Sequence, residues 1–361
     1  MFAACLIPTL VLVAFTLLPM WRNESWWVRA LDFPRLQLSV IALFLLLLEG
    51  VLLDLSRPLA WGLFALTLLC LIYQACWIVP YTRLFPAEAK NAVNSDEQRR
   101  IRIITANVLT PNRNAAALIE LVRENEPDIL VTLESDAWWQ KQLDTLEPDY
   151  PHTIKCPLDN LYGMHVYSRF VLTEGQIEYL VEPDKPSIHT LVHLPSGHQI
   201  RIHFLHPAPP SPTENEASSE RDAELIIVAK SVAQSDGPVI VTGDLNDVAW
   251  SKTTRLFRKI SGLLDPRVGR GMFNTYHAGY WLMRWPLDHL FHSDHFSVSN
   301  IDRLRGFGSD HFALLTELIF EAGLDLQQNG LKTDADDRSW AKTKVEEQHV
   351  STDDVPEPGK G

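Results

Sequence analysis

The sequence predicts an α+β chain, one domain of alternating strands and helices preceded by three transmembrane helices. Three observations predict it. Long apolar runs crowd residues 1–80, at roughly 3–20, 36–55 and 58–79. Residues 101–320 alternate β-branched stretches with helical ones, the pattern of packed strands and helices. Successive strand ends in that region each carry a polar side chain, which places candidate ligands on one rim.

Each apolar run is about 20 residues long, enough to cross a hydrocarbon core about 30 Å thick. The second contains Glu49, which is expensive in lipid and is expected to face a neighbouring helix. Trp21, Trp26 and Trp27 follow the first run, and Trp77 and Tyr81 close the third, positions that suit interfacial aromatics. No basic segment precedes the first run, which argues against a cleaved signal peptide. Arg22, Arg29 and Arg35 lie between the first two runs, and Arg83, Lys90, Arg99, Arg100 and Arg102 follow the third. The other side carries only Arg57 and the N-terminus. The positive-inside rule therefore predicts an integral membrane protein whose first loop and large domain are both cytoplasmic.

The 361 residues leave room for one large domain plus an appendage. A net charge of −13 argues against a sequence-independent grip on DNA, which needs a basic surface. Of the four cysteines only Cys156 lies outside the apolar region, so an intradomain disulfide framework and a cysteine zinc site are excluded. Residues 81–100 read as a linker, 101–320 as the folded domain, and 321–361 as a disordered polar tail.

The domain opens with I-R-I-I-T-A-N-V-L, a strand ending at Asn107, then a helix over 114–125. P-D-I-L-V-T-L-E is a second strand ending at Glu134. Strands or a hairpin follow over 163–194, and Q-I-R-I-H-F-L-H ends at His206. A helix near 213–235 leads to P-V-I-V-T-G-D-L-N-D, residues 238–247, the stretch that organises the rest. Val239, Ile240 and Val241 fit a buried strand that Gly243 breaks. Asp244 and Asn246, two apart, then aim oxygen-bearing side chains the same way. Alone, this could equally be an Asx-rich turn. P-L-D-H-L-F-H gives a strand with Asp288, and G-F-G-S-D-H carries Asp310 and His311 into the last strand.

The order of Asn107, Glu134, His206, G-D-L-N, Asp288 and S-D-H resembles the endonuclease/exonuclease/phosphatase superfamily. That resemblance covers roughly residues 101–320. It implies a DNase I-like, four-layer α/β/β/α sandwich, with the membrane helices as an addition found in some bacterial members. It also implies a divalent ion, Mg²⁺ or Mn²⁺, held by Glu134 with Asn107 and Asp310, oxygen ligands suited to such ions. Asp244 would align or deprotonate the attacking water, and Asn246 would bond the phosphoryl oxygen. His311, oriented by Asp288, would act as a base or stabilise the transition state, and His206 would protonate the leaving oxygen. No motif supplies an acidic partner for His206. Arg169 fits either fold support or phosphate contact. His152, His189, His193, His203, His277 and His295 are expected to be structural or exposed.

The implied activity is that of a membrane-anchored phosphodiesterase, nuclease-like or phospholipase C-like, in the bacterial inner membrane. Its substrate would be a phosphodiester, either a nucleic acid or a phospholipid headgroup, and no protein partner is evident. A catalytically idle, membrane-tethered binding module of the same fold is the alternative. Trp138, Trp139 and the aromatic loop G-M-F-N-T-Y-H-A-G-Y-W-L-M-R-W would meet lipid, stack on bases or pack against the sheet.

Overall fold

A computed structural model describes residues 2–93, 96–321, 328 and 330–360. Helices α1 (Phe2–Leu17), α3 (Arg35–Leu52) and α4 (Pro58–Ile78) are long and apolar enough to cross a membrane. Between α1 and α3 the loop forms short helical turns, among them α2 (Trp26–Arg29). Glu49 is fully buried among the three helices, where the hydroxyls of Thr9 and Thr67 donate to its Oε1 at 2.8 and 2.9 Å. A carboxylate in that setting is tolerable because neighbouring helices supply its donors.

The domain holds β1 (Arg100–Asn107), α5 (Ala115–Asn125), β2 (Ile129–Leu133), α6 (Ala137–Leu143), β3 (His152–Cys156) and β4 (Met164–Ser168). There follow β5 (Leu172–Glu178), β6 (Ser187–His193), β7 (Gln199–Leu205), α7 (Ser219–Val232), β8 (Val239–Asp244) and α8 (Lys252–Ser261). Strands β9 (Asp288–His292), β10 (Phe296–Arg303) and β11 (Leu314–Phe320) complete it, with α9 (Ala335–Gln348) beyond them. One sheet runs β10-β11-β1-β2-β4-β3 and the other β5-β6-β7-β8-β9.

Alternation along the strands decides the layers. Ile103, Val131 and Val166 meet Ile188, Ile202, Ile240 and Leu290 in a core between the sheets. Their neighbours Ile104, Leu130 and Tyr167 face outward under Leu118, Val122 and Trp139 of α5 and α6. On the far side, Val239, Val241 and Phe291 face Leu225, Val228 and Phe257 of α7 and α8. The result is the four-layer α/β/β/α arrangement. Parallel pairing of β1 with β2 and of β7 with β8 puts four strand ends on one edge. That edge is the rim the sequence picks out.

The loop between α1 and α3 is docked on the domain. The backbone N–H of Trp26 donates to Glu216 O at 2.9 Å, and the Trp250 indole donates to Asp32 O at 2.9 Å. Tyr81, at the end of the third apolar segment, donates to Ala249 O at 2.6 Å inside a cluster with Trp250, Val268 and Leu287. The loop and the domain therefore share one side of the three-helix bundle.

The expectation of a disordered tail over 321–361 is corrected across its described part. Helix α9 starts with a capping box, Asp334 accepting from the Asp337 N–H and Asp337 accepting in return. Ala341 packs against Ile226 and Leu256. Lys344 is buried, its Nζ 2.5 Å from Asp222 and 2.6 Å from Glu24. A buried ammonium is tenable there because two carboxylates compensate it. Polar composition reads as solvated, and nothing along the chain marks this lysine as an anchor.

Candidate active site

All eight residues singled out in the sequence fall at the common rim of the two sheets. Asn107 ends β1, Glu134 follows β2, His206 follows β7, and Asp244 ends β8 directly opposite Asp288 at the start of β9. Gly243 makes this convergence possible. Its φ is +152°, and a Cβ there would lie 1.8 Å from the Leu205 carbonyl. Only glycine lets β7 and β8 approach so closely at the point where His206 and Asp244 leave their strands.

On the first sheet, Asn107 bridges two carboxylates. Its Nδ2 donates to Glu134 Oε1 at 2.7 Å and to Asp244 Oδ2 at 3.1 Å. Its Oδ1 accepts the Leu109 N–H at 3.1 Å. Two acceptors on one side require the amide nitrogen there, because a carbonyl would repel both. Asn107 therefore turns its nitrogen to the two carboxylates and its oxygen to the Leu109 N–H. Glu134 has φ +57°, and its Oε2 is buried with no hydrogen-bond partner among the described residues. Burial foremost pushes its carboxyl up to about 7, with Asp244 and Asp310 adding repulsion against the lowering effect of Asn107 and His311. Asp310 lines the same cavity, held near the rim by Ser309, whose hydroxyl donates to Asn107 O at 2.8 Å.

On the second sheet an imidazole sits between two carboxylates. His311 Nδ1 lies 2.8 Å from Asp288 Oδ2, and its Nε2 lies 3.6 Å from Asp244 Oδ2. Burial alone would lower this imidazole, but Asp288 and Asp244 outweigh it and hold it up at about 10. Burial likewise raises Asp244. Donor atoms of Asp244, Asp288 and His311 lie within 4.8 Å of one another, close enough to hold an ion. A protonated imidazole has no lone pair to offer a metal. This cluster is therefore a proton-holding chain whose cation is His311 itself.

Asn246, at φ +50°, donates its N–H to Asp244 Oδ1 at 2.9 Å and its Nδ2 to Pro207 O at 3.0 Å. His206 is buried against the Tyr162 ring at 5.0 Å, and its Nδ1 has no partner among the described residues. Burial lowers it to about 4. Among the described residues no carboxylate hydrogen-bonds it, so burial favours the neutral imidazole.

Several contributors escape sequence reasoning. Thr275 Oγ1 accepts the Asp288 N–H at 3.2 Å, and the Tyr276 ring lies tilted against His311 with centroids 4.9 Å apart. Arg221, buried and paired with Asp222, donates to Asn246 O at 2.7 Å and fixes that turn. None sits in a motif, although the Thr275–Tyr276 pair lies in the aromatic loop. Arg169 lies over the Tyr150 ring at 5.0 Å, so it supports the fold. Trp139 is fully buried in the outer core.

A cavity of about 660 Å³ opens on this rim, lined by Glu134, Asn246, Asp310 and His311 on one wall. Phe33 and Pro34 of the membrane loop, with Met283, Trp285 and Leu287, line the other.

Residues 104–311 match the family model described as the Endonuclease/Exonuclease/phosphatase family. Among solved structures, D. rerio TDP2 complexed with a single-strand DNA product is 16% identical, with a TM-score of 0.50 over 61% of this chain and 98% of that one. The human Nocturnin catalytic domain with a bound sulfate is 19% identical, with a TM-score of 0.51 over 63% and 96%. A family protein from Bacteroides thetaiotaomicron is 19% identical, with a TM-score of 0.50 over 61% and 98%. These likenesses establish the fold. No curated protein matches the chain.

Proposed function

The chain belongs to the endonuclease/exonuclease/phosphatase family, and from that premise we propose that it is a divalent-metal-dependent phosphoester hydrolase held at a membrane surface. Members of this family are typically hydrolases of phosphoester bonds and generally use divalent metals. One observation carries the reading: in a single cavity a buried, uncompensated Glu134 carboxylate and Asp310 face the Asp244–His311–Asp288 chain.

The donor set fits a hard cation. Glu134 Oε2 lacks a partner, and its raised proton affinity reports missing positive charge. Oxygen ligands of this kind suit Mg²⁺ or Mn²⁺. Glu134 and Asp310 would hold the ion, while Asn107 positions Glu134 through its amide nitrogen rather than ligating. When bound, the ion would neutralise charge on phosphoryl oxygens.

The remaining groups supply the proton chemistry. Asp244, buried and raised in proton affinity, accepts a proton from the attacking water. His311 keeps its proton between two carboxylates and stabilises negative charge as it develops. Asn246 adds a donor at the phosphoryl oxygen. Neutral His206 becomes an acid only once the substrate's phosphate adds negative charge beside it.

The three apolar helices support anchoring in a membrane, and the basic residues of the first loop favour a cytoplasmic domain. The test is full-length protein with Mg²⁺ or Mn²⁺ on bis(p-nitrophenyl) phosphate, plasmid DNA and phospholipid vesicles. DNA is included because one similar fold holds a DNA product. EDTA-sensitive product release that Glu134→Gln abolishes supports the hydrolase. No turnover on any phosphoester, with metal-free binding of a partner, would support an idle binding module instead.

A further inference from the structure

The cavity has two chemically different walls, and the second belongs in part to the membrane loop. Phe33 and Pro34 immediately precede α3, a helix long and apolar enough to cross a membrane. Their side of the cavity thus lies at the level where hydrocarbon meets headgroups. Phe33 packs edge-on against Trp285 at 5.5 Å. Gln37, in the first turns of α3, donates to Leu282 O at 2.7 Å and ties the aromatic loop to that helix.

The tip of that loop is apolar and open. Tyr280, Trp281, Leu282 and Met283 are 61%, 75%, 61% and 57% exposed. Four consecutive exposed apolar residues beside a membrane helix form a patch that water does not favour and a bilayer does. Met283 is shared by the tip and the cavity wall. Met283 therefore joins the exposed apolar tip to the cavity that holds Glu134 and His311.

Charge points the same way. Glu134 and Asp310 line the cavity, and the whole chain carries −13. Arg29 is the one arginine in the lining, and its guanidinium is already engaged by Asp32 and by the carbonyls of Trp21 and Asn23, so a polyanion such as DNA meets little free positive charge there. An amphiphile entering sideways from the bilayer meets no such barrier.

We propose that the substrate is a membrane-embedded phosphoester amphiphile of the phospholipid class. Its phosphate reaches the Glu134–His311 wall, and its hydrocarbon lies along Phe33, Pro34, Met283, Trp285 and Leu287. This rests on the hydrolase reading above. In the step, a water oxygen bonds to phosphorus, the bond from phosphorus to one ester oxygen breaks, and the departing alcohol leaves with a proton. No further reactant is needed.

The experiment uses the full chain in nanodiscs with Mn²⁺. Water-soluble products of phosphatidylglycerol and phosphatidylcholine are measured beside turnover of bis(p-nitrophenyl) phosphate and of plasmid DNA. Phe33→Ser and Met283→Ser are expected to lower lipid hydrolysis about tenfold more than hydrolysis of the aqueous ester. Equal loss on both substrates, or cleavage of DNA without lipid, overturns the proposal. A second readout does not depend on turnover. Dialkyl phosphate with brominated chains is added to detergent-solubilised protein, and the fluorescence of wild type and Trp285→Phe is compared. A quenched component that disappears in Trp285→Phe is expected, and it would stand even if the hydrolase reading failed. Identical quenching in both proteins overturns the proposal whatever the activity.

Discussion

The two sheets deliver carboxylates to the same cavity but treat them oppositely. On the second sheet, Asp288 and Asp244 flank His311, so both carboxylates face an imidazole, although Asp288 Oδ1 is also buried without a partner among the described residues. On the first, Glu134 receives one amide hydrogen bond and otherwise keeps a bare buried oxygen. Burial without a counter-charge raises a carboxyl, whereas an imidazole between carboxylates is raised as a cation. Glu134 thus has an amide as its hydrogen-bond partner, whereas the carboxylates of the second sheet have His311. That asymmetry is the reason for proposing the ion on the first side and the proton on the second.

The largest expected effect breaks the proton side. Asp244→Asn should lower kcat about 10³-fold with the circular dichroism spectrum unchanged. Near-normal turnover in that variant would remove Asp244 as the water-activating group.

Glu134→Gln addresses the ion side and should weaken Mg²⁺ affinity about 100-fold by calorimetry. Without metal, wild-type Glu134 is raised from 4.5 to about 7. A raised group stabilises the fold fully below its unfolded value and loses that contribution as pH rises. In EDTA the melting temperature should thus fall between pH 4.5 and 7, and Mg²⁺ should reverse the fall. Glu134→Gln should flatten both responses. A wild-type profile that Mg²⁺ leaves unaltered would place the ion elsewhere.

Asp288→Asn sharpens the contrast through His311. The imidazole is raised from 6.5 to about 10, so its contribution is complete below pH 6.5 and disappears as pH climbs to 10. The wild-type melting temperature should decline over that window more steeply than the variant's. Equal slopes would mean that Asp288 does not hold the proton on His311.

The smallest effect concerns Thr275, whose hydroxyl accepts the Asp288 N–H. Thr275→Val should cost about 1 kcal/mol in urea unfolding. It should move turnover less than Asp288→Asn does.

The rim was legible in the sequence because strands of β-branched residues stop at polar ones, and a period of two fixes which side chains share a face. Asp244 and Asp288 meet because their strands pair in register, and G-D-L-N and P-L-D-H announce both ends. Asn107 was legible as a site residue but not in its role, since the amide's orientation depends on two carboxylates from distant strands. Thr275 and Tyr276 reach the site from a loop, where no periodicity aims a side chain. Trp139 and Trp281 look alike along the chain, yet one is fully buried and the other is 75% exposed. Only the packing of α6 on its sheet separates them. The tail is hard to read for the same reason, because α9 buries only a short apolar strip around Ala341 and its buried charged anchor is a lysine.

That lysine ties together two stretches made at very different times during synthesis. Lys344 clasps Glu24, which lies beside the first apolar helix, and Asp222, which belongs to a helix of the folded domain. The helices near the N-terminus leave the ribosome first, and domains generally assemble in that order. The clasp cannot close until residue 344 has emerged, so among the contacts named between loop and domain it is the last that synthesis permits.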